Sequence, residues 1–344
     1  MGNLEYPSVS VIIPVRDEER HIGGAVRGVL EQGYIGKGEV EILIVDGMSK
    51  DETRKILSQF AGARLKPGVS ARILDNPKGQ RASALNIGIR ESRGDVIMRI
   101  DARTIIPSDY IEKCVRTLSN TKADNAGGIQ KPIAAPGALT QKAIGIALSH
   151  PFGVGNAHFR TGSRSGYVDT VYLGCFRREV FQKVGLFDED SAVISEDADM
   201  NQRIREAGGK VYLNGEIEAL YYPRSSFRDM WRLYFRYGGA KAGNFLKRGK
   251  LTAWRQLVPP LFIVSLLTLP ALGLFNEVFY YLWASIAGVY IAAIFLISSL
   301  LAAKESPGLF SRLLIAFPAI HLSWGLGFWR RLLSRPEPGQ YWGY

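Results

Sequence analysis

Apolar residues follow two patterns along this chain. Up to about residue 130 they form short runs separated by amphipathic stretches, and beyond residue 257 they form long runs almost free of charge. In the first region Val9-Ser10-Val11-Ile12-Ile13 reads as a buried strand ended by Pro14, and Glu41-Ile42-Leu43-Ile44-Val45-Asp46 as a second with an acid at its end. Residues 18–32 repeat apolar positions at helical spacing (Ile22, Ala25, Val26, Val29, Leu30). A helix over 51–60, a short strand over 72–74, a helix over 80–91 and a strand running to Asp101 follow. Short apolar runs between amphipathic helices predict a mostly parallel sheet covered on both faces.

From Ala138 to Tyr222 the pattern is more mixed. It predicts a Gly-rich loop (Gly153, Gly155, Gly162, Gly166), a strand near 168–173 and a helix opening at Ser195-Glu196-Asp197. Val211-Tyr212-Leu213 and 217–221 read as a returning strand pair. Residues 225–249 alternate aromatic and basic positions (Phe227, Trp231, Phe235 against Arg228, Arg232, Arg236), which suits either a core-packed helix or one at a membrane interface.

The long runs are 257–275, 278–303 and 313–329, the last with His321 as its one ionisable group. The second is long enough to span a hydrocarbon core of about 30 Å. Pro259, Pro260 and Pro270 make the first a candidate for a kinked or re-entrant path. Lys247, Arg248, Lys250 and Arg255 just before these runs set the N-terminal part on the cytoplasmic side. Three full crossings would then leave Arg330, Arg331 and Arg335 outside, so one run is expected to be interfacial. The chain thus divides into a catalytic domain (1–224), an amphipathic interfacial region (225–256), a membrane region with two to three helices (257–330) and a tail (331–344), making a multi-pass protein of the cell membrane.

The 344 residues carry a net charge of +11. That balance suits anionic lipid or a phosphorylated ligand. No zinc-finger, helix-turn-helix or aromatic RNA-binding signature accompanies it, so nucleic acid is not an expected partner. Two cysteines in unrelated contexts, Cys114 and Cys175, predict a reducing compartment and no disulfide framework. The opening residues 1–7 lack the basic and apolar regions of a signal peptide, and Tyr6 stands where a myristoylation signal needs Ser or Thr.

Four patterns carry candidate chemistry: Val9-Ser-Val-Ile-Ile-Pro-Val-Arg-Asp-Glu-Glu19; Ile44-Val-Asp-Gly-Met-Ser-Lys-Asp-Glu-Thr53; Gly79-Gln-Arg-Ala-Ser-Ala-Leu-Asn-Ile-Gly88 leading into Arg99-Ile-Asp-Ala-Arg103; and Ser195-Glu-Asp-Ala-Asp-Met-Asn-Gln-Arg203. Taken singly, a strand-end acid is as often a cap for the next helix as a functional group. In this order they resemble the family 2 glycosyltransferases, and within them the succinoglycan glucosyltransferase-like branch. Val168-Asp-Thr170 and Arg177-Arg-Glu-Val-Phe-Gln-Lys-Val-Gly-Leu-Phe-Asp188 add to the likeness, which covers about residues 7–240.

The resemblance implies a GT-A nucleotide-sugar-binding fold followed by a C-terminal transmembrane region, and an inverting transfer of a sugar, expected to be a hexose from a UDP-sugar. The acceptor it implies is a lipid-linked saccharide or a polysaccharide. It also implies roles by position: Pro14, Asp17 and Glu18 toward the nucleoside, Asp46 toward base and ribose, and Arg81 and Asn86 beside the diphosphate. Asp101 matches the first acid of a motif that holds Mg²⁺ or Mn²⁺, and Asp197 the base that takes the acceptor's proton. Glu196 is a candidate for positioning acceptor hydroxyls or for capping its helix, and Arg236 for facing the acceptor channel. A base at a helix start is expected to be held ionised by the dipole.

Gly47 and Arg103 depart from the family's acids. Arg103 has three readings: a lost metal ligand, a guanidinium that holds the diphosphate itself, or a solvent-facing side chain. Two other functions stay open, a polyprenyl-phosphate sugar transferase and a non-catalytic nucleotide-sugar-binding subunit of a membrane assembly.

Overall fold

A computed structural model of the chain describes residues 6–60, 65–162, 164–189, 196–249 and 253–334. Ser195, Lys250, Arg335 and residues 1–5 lie outside the described residues, as does most of the tail. One nine-stranded sheet forms the base of the domain. Its strands are β1 (Val9–Val15), β2 (Val40–Asp46), β3 (Val69–Asp75), β4 (Val96–Arg99), β5 (Thr104–Ile105), β6 (Asn125–Pro132), β7 (Gly166–Tyr167), β8 (Tyr172–Arg177) and β9 (Val211–Tyr221). They lie in the order β3-β2-β1-β4-β8-β6-β9-β5, with β7 beside β9.

The expected parallel pairing holds across β3-β2-β1-β4 and between β6 and β9. β8 runs antiparallel between β4 and β6, so the mixed half of the sheet begins there. Both faces of β1 are buried because crossover helices cover the parallel half. The carboxyl ends of β1, β2 and β4 therefore open on one edge, where the chain turns from strand to helix.

Two elements differ from the sequence pattern. Residues 168–171 are not a strand. Val168 and Val171 are buried, but between them Asp169 pairs with Arg255 at 2.6 Å and Thr170 accepts from Asn201 Nδ2 at 2.9 Å. Those anchors make the segment a tied connection, and the strand starts at Tyr172. Likewise 211–221 is one strand, not a returning pair. Asn214-Gly215 resembles a hairpin turn, but both halves pair with β6, from Gly127 opposite Leu213 to Ile129 opposite Glu218, with a bulge between.

The C-terminal half of the fold is helical. Helix Phe227–Arg248 opens with Ser226 accepting from Asp229 N at 3.1 Å and closes on Gly249 at φ 66°. Lys247 near its far end pairs with Asp188, so this helix lies along the domain at both ends. Helix Phe310–Leu333 packs against it. Gly238 and Gly327 let the backbones meet, because a Cβ on either would sit 2.0 or 1.9 Å from a carbonyl oxygen of the other helix.

Helices Val258–Gly273 and Val278–Glu305 form a hairpin. It leaves the domain near Arg255, which is tied to Asp169, and returns at Glu305, which Lys142 meets at 3.0 Å. Among the described residues three stretches, 254–273, 278–305 and 307–333, are long and apolar enough to cross a membrane. Large apolar side chains on the hairpin, such as Leu267, Phe275, Val289 and Leu300, are exposed. Such a surface fits lipid contact. Cys114 and Cys175 are free and buried.

Candidate active site

The loops after β1, β2 and β4 interlock before they line anything. Asp17 adopts φ 50°, an uncommon conformation for a residue with a side chain. It is held there by Ser49 Oγ, which accepts from its N–H at 2.9 Å, and by Lys50 N, which donates to its carboxylate at 2.8 Å. Gly47 belongs to this contact. A Cβ there would come within 3.1 Å of Arg16, so an acid at 47 would displace the Arg16 side chain.

Asp46 is fully buried. Its carboxylate accepts from Ser49 Oγ at 2.5 Å and faces Arg54 Nε at 3.3 Å, so it braces the turn. Asn86 is committed in the same way, donating to Phe187 O at 2.8 Å and Glu189 Oε1 at 2.7 Å while accepting from Phe187 N.

A cavity of about 1090 Å³ opens beside these loops. Pro14, Asp17, Glu18, Arg81, Asp101, Arg103, Glu196 and Asp197 all line it, although they come from segments up to 183 residues apart in sequence (Pro14 to Asp197). Asp46, Asn86 and Arg236 do not join them. Arg236 borders a separate cavity of about 520 Å³ with Arg224, Asp229 and Trp231.

At the centre stands Arg99, whose role the sequence pattern did not single out. Its Nε donates to Asp101 Oδ1 at 2.7 Å and its Nη1 to Glu196 Oε1 at 2.9 Å. Arg81 approaches the same Glu196 oxygen at 3.6 Å. Burial pushes both carboxyls upward, but the Arg99 and Arg81 guanidiniums outweigh it and hold Asp101 and Glu196 below the usual carboxylate range. An arginine in an apolar strand, two residues ahead of an acid and so on its face, is the signal that marks this pair. Glu196 thus serves as a buried counter-ion.

Asp197 behaves oppositely. Burial and the neighbouring Glu196 raise its pKa above the ordinary aspartate value, against the pull of Arg99 and Lys241. Its dipole position at the head of helix Glu196–Glu206 does not dominate. Lys241, a single lysine in the run Gly238-Gly239-Ala240-Lys241-Ala242-Gly243, is a second residue missed in the sequence. Burial lowers its pKa, while Asp197 and Asp169 favour its charge.

Arg103 donates to Glu18 Oε1 at 2.6 Å, and Glu18 Oε2 meets His21 Nδ1 at 3.0 Å. Arg103 joins the β1 and β4 loops at the cavity wall, with 38% of its side chain exposed. Asp101 lines the cavity with Oδ1 bonded to Arg99, and one carboxylate suits a cation that keeps phosphate and water in its shell. Among the described residues no three His, Cys, Asp or Glu side chains gather into a metal cage.

The cavity continues away from these charges into the helices, where Phe152, Phe262, Tyr290, Ile320 and Trp324 line it. His321 links that end to the domain, with Nε2 2.9 Å from Phe152 O and Nδ1 2.9 Å from the Tyr290 hydroxyl.

Residues 10–185 match the family model for glycosyl transferase family 2. The chain belongs to that family. It is 29% identical to the succinoglycan biosynthesis protein ExoA of Rhizobium meliloti (strain 1021), over 97% of this chain and 98% of that protein. It is 25% identical, over 95% and 97% of the two chains, to the dolichyl N-acetyl-alpha-D-glucosaminyl phosphate 3-beta-D-2,3-diacetamido-2,3-dideoxy-beta-D-glucuronosyltransferase of Methanococcus voltae. Among solved structures, mannosyltransferase PcManGT from Pyrobaculum calidifontis, in complex with GDP-Man and Mn²⁺, superposes with a TM-score of 0.56 at 19% identity, covering 90% of this chain and 86% of that one. Residues 1–349 of S. aureus TarS give 0.51 at 14% identity, with 92% and 90% covered. The fold is GT-A, and the protein is a family 2 glycosyltransferase that fits a membrane location.

Proposed function

We propose that this glycosyltransferase moves a hexose-type sugar, with inversion, from a UDP-sugar to a hydroxyl of a lipid-linked or polysaccharide acceptor at the cytoplasmic membrane face. The observation that carries the reading is one cavity running from the carboxylates of Asp101 and Asp197 to the apolar helices. A soluble donor reaches the charged end from water, and a lipid-borne acceptor reaches the other from the bilayer. ExoA and the Methanococcus enzyme, similar over nearly the full chain, are named for succinoglycan biosynthesis and for a dolichyl-linked acceptor.

In this reading Pro14, Asp17, Glu18 and Arg103 form the wall against the nucleoside diphosphate, and Arg81 faces its charge. The acceptor oxygen attacks the anomeric carbon while Asp197 takes its proton, and the bond to the diphosphate breaks with both electrons leaving on the diphosphate. The raised proton affinity of Asp197 suits this step, and Lys241 limits how far it rises. Arg99 joins Asp101 and Glu196 through one guanidinium.

A divalent cation, when bound, neutralises charge on the leaving diphosphate. Asp101 would hold it together with phosphate oxygens and water, and PcManGT with Mn²⁺ is a fold neighbour consistent with that.

For topology, helix 310–333 is tied to the domain through His321, 2.9 Å from Phe152 O, and packs along helix 227–248, where Arg331 lies beside Gly239. We read it as lying in the interface, with the hairpin 258–305 as the inserted part. Arg330 and Arg331 then stay with the other basic residues on the cytoplasmic side, which satisfies the positive-inside rule.

The test is a transfer assay with purified protein in detergent, a panel of nucleotide sugars and a membrane lipid extract. A glycosylated lipid formed from one donor supports the reading. No transfer from any common donor would rule it out.

A further inference from the structure

Most cations of the cavity wall have an anion to face: Arg99 has Asp101 and Glu196, Arg103 has Glu18, and Arg255 has Asp169. Two form no such pair. Arg160, on the short helix His158–Thr161, reaches the Tyr221 hydroxyl at 3.5 Å and stacks 5.2 Å from the Phe159 ring. The hydroxyls of Tyr221, Tyr234 and Tyr237 lie near its guanidinium. Arg224 makes no ion pair among the described residues; Arg103 and Arg236 crowd it, and Glu18 is the carboxylate near enough to favour its charge. Burial and Arg103 lower its proton affinity, although an arginine stays charged.

Both side chains border the same stretch of the cavity. Tyr237 marks it, being the shared electrostatic neighbour of Arg81, Arg160, Arg224 and Arg236. Its ring packs 5.5 Å from Tyr234 and 6.5 Å from Trp324, so it stands where the charged end meets the apolar end. Two partly buried guanidiniums with no direct ion pair among the described residues cost free energy that a bound anion offsets. Guanidinium forks suit phosphate oxygens in particular.

We propose that Arg160 and Arg224 hold the phosphate of a lipid-linked acceptor, whose hydrocarbon chain lies in the apolar end of the cavity between Phe152, Phe262, Tyr290 and Trp324. The proposal rests on the acceptor reading above and adds to it a phosphate subsite separate from the donor's. The donor's own diphosphate is the other source of such a phosphate. Arg224 stands beside Glu18 and Arg103 of the donor wall, whereas Arg160 neighbours Tyr221, Tyr234 and Tyr237, so Arg160 sets the subsite apart and the UDP measurement separates the two sources.

The experiment uses the full chain in detergent, with farnesyl phosphate and farnesol as probes read by thermal unfolding, and UDP binding read by calorimetry. Farnesyl phosphate is expected to stabilise the protein more than farnesol does. Arg160→Met and Arg224→Met are each expected to weaken farnesyl phosphate binding about tenfold or more, with UDP affinity within twofold of wild type. Should Arg160→Met not fold, Arg160→Gln, which keeps a donor for Tyr221, carries the same expectation. Equal responses to farnesol and farnesyl phosphate would overturn the proposal. So would loss of UDP affinity with farnesyl phosphate binding retained, which would assign these arginines to the donor. Because the readout is binding, a wild-type protein that binds farnesyl phosphate yet transfers no sugar would sink the functional reading and leave this one standing.

Discussion

Replacing Arg99 by Met tests whether the site is held together by one buried cation. Arg99 is 9% exposed, Glu196 6% and Asp101 24%, and the two bonds that join them measure 2.9 and 2.7 Å. Hydrogen bonds to charged groups contribute about 1.5–3 kcal/mol each. Removing one partner of a buried pair costs about 3–5 kcal/mol, because a desolvated charge is left behind. Arg81, at 3.6 Å from Glu196 and 39% exposed on its side chain, compensates only in part.

We therefore expect Arg99→Met to lose about 3–5 kcal/mol, against a total of about 5–15 kcal/mol for a typical domain. Distance alone does not set that value. Lys55 and Glu52 are as close, at 2.6 Å, but 78% and 61% exposed, and a Lys55→Met change is expected to cost less than about 1 kcal/mol. Adding Glu196→Gln to Arg99→Met removes one stranded charge and should recover part of the loss, giving a coupling of about 1–3 kcal/mol. Urea unfolding in detergent, followed by tryptophan fluorescence, measures wild type, Arg99→Met, Glu196→Gln, their double variant and Lys55→Met. A loss below about 1 kcal/mol for Arg99→Met, or strict additivity in the double variant, would refute the reasoning.

Other predictions concern catalysis and topology. A base works only when deprotonated, so activity should fall as pH drops through the raised pKa of Asp197; Lys241→Met removes a cation and should move that acid limb to higher pH, Glu196→Gln to lower pH, and a kcat/KM profile that moves the other way contradicts the assignment. Asp101→Ala is expected to abolish transfer, whereas Arg103→Ala, which frees Glu18 from its partner, should weaken UDP binding several-fold; unchanged affinity by calorimetry makes Arg103 a bystander. Cysteine labelling of intact cells should reach Asn276→Cys at the hairpin tip and reach Ser334→Cys only after permeabilisation, a clean readout because Cys114 and Cys175 are buried; external labelling of Ser334→Cys would contradict the interfacial helix.

Strands that deliver acids to one edge were legible because period and composition agree: Val and Ile runs end in Pro14, Asp46 and Asp101, and the parallel half of the sheet follows. Val168 to Leu173 misled for a physical reason. Its apolar alternation is real, but Asp169 and Thr170 are tied to Arg255 and Asn201, contacts 86 and 31 residues away in sequence that local pattern cannot contain. Asp46 and Asn86 illustrate the same gap at the site. Their position in the motifs is that of donor contacts, while their side chains are spent on Ser49, Arg54 and Phe187. Arg99 could have been read, since a guanidinium inside a buried strand needs a partner. Arg160 and Tyr237 could not, because only the fold brings them to one cavity.

The central claim is that Asp197 acts on the acceptor and not on the donor. Transfer rate and UDP affinity measured on the same preparation of Asp197→Asn test it most directly. The account predicts UDP affinity equal to wild type and transfer reduced by about 10²–10⁴-fold, the usual contribution of a general base. Transfer within tenfold of wild type would contradict it, and would point to an acceptor that arrives already as an anion.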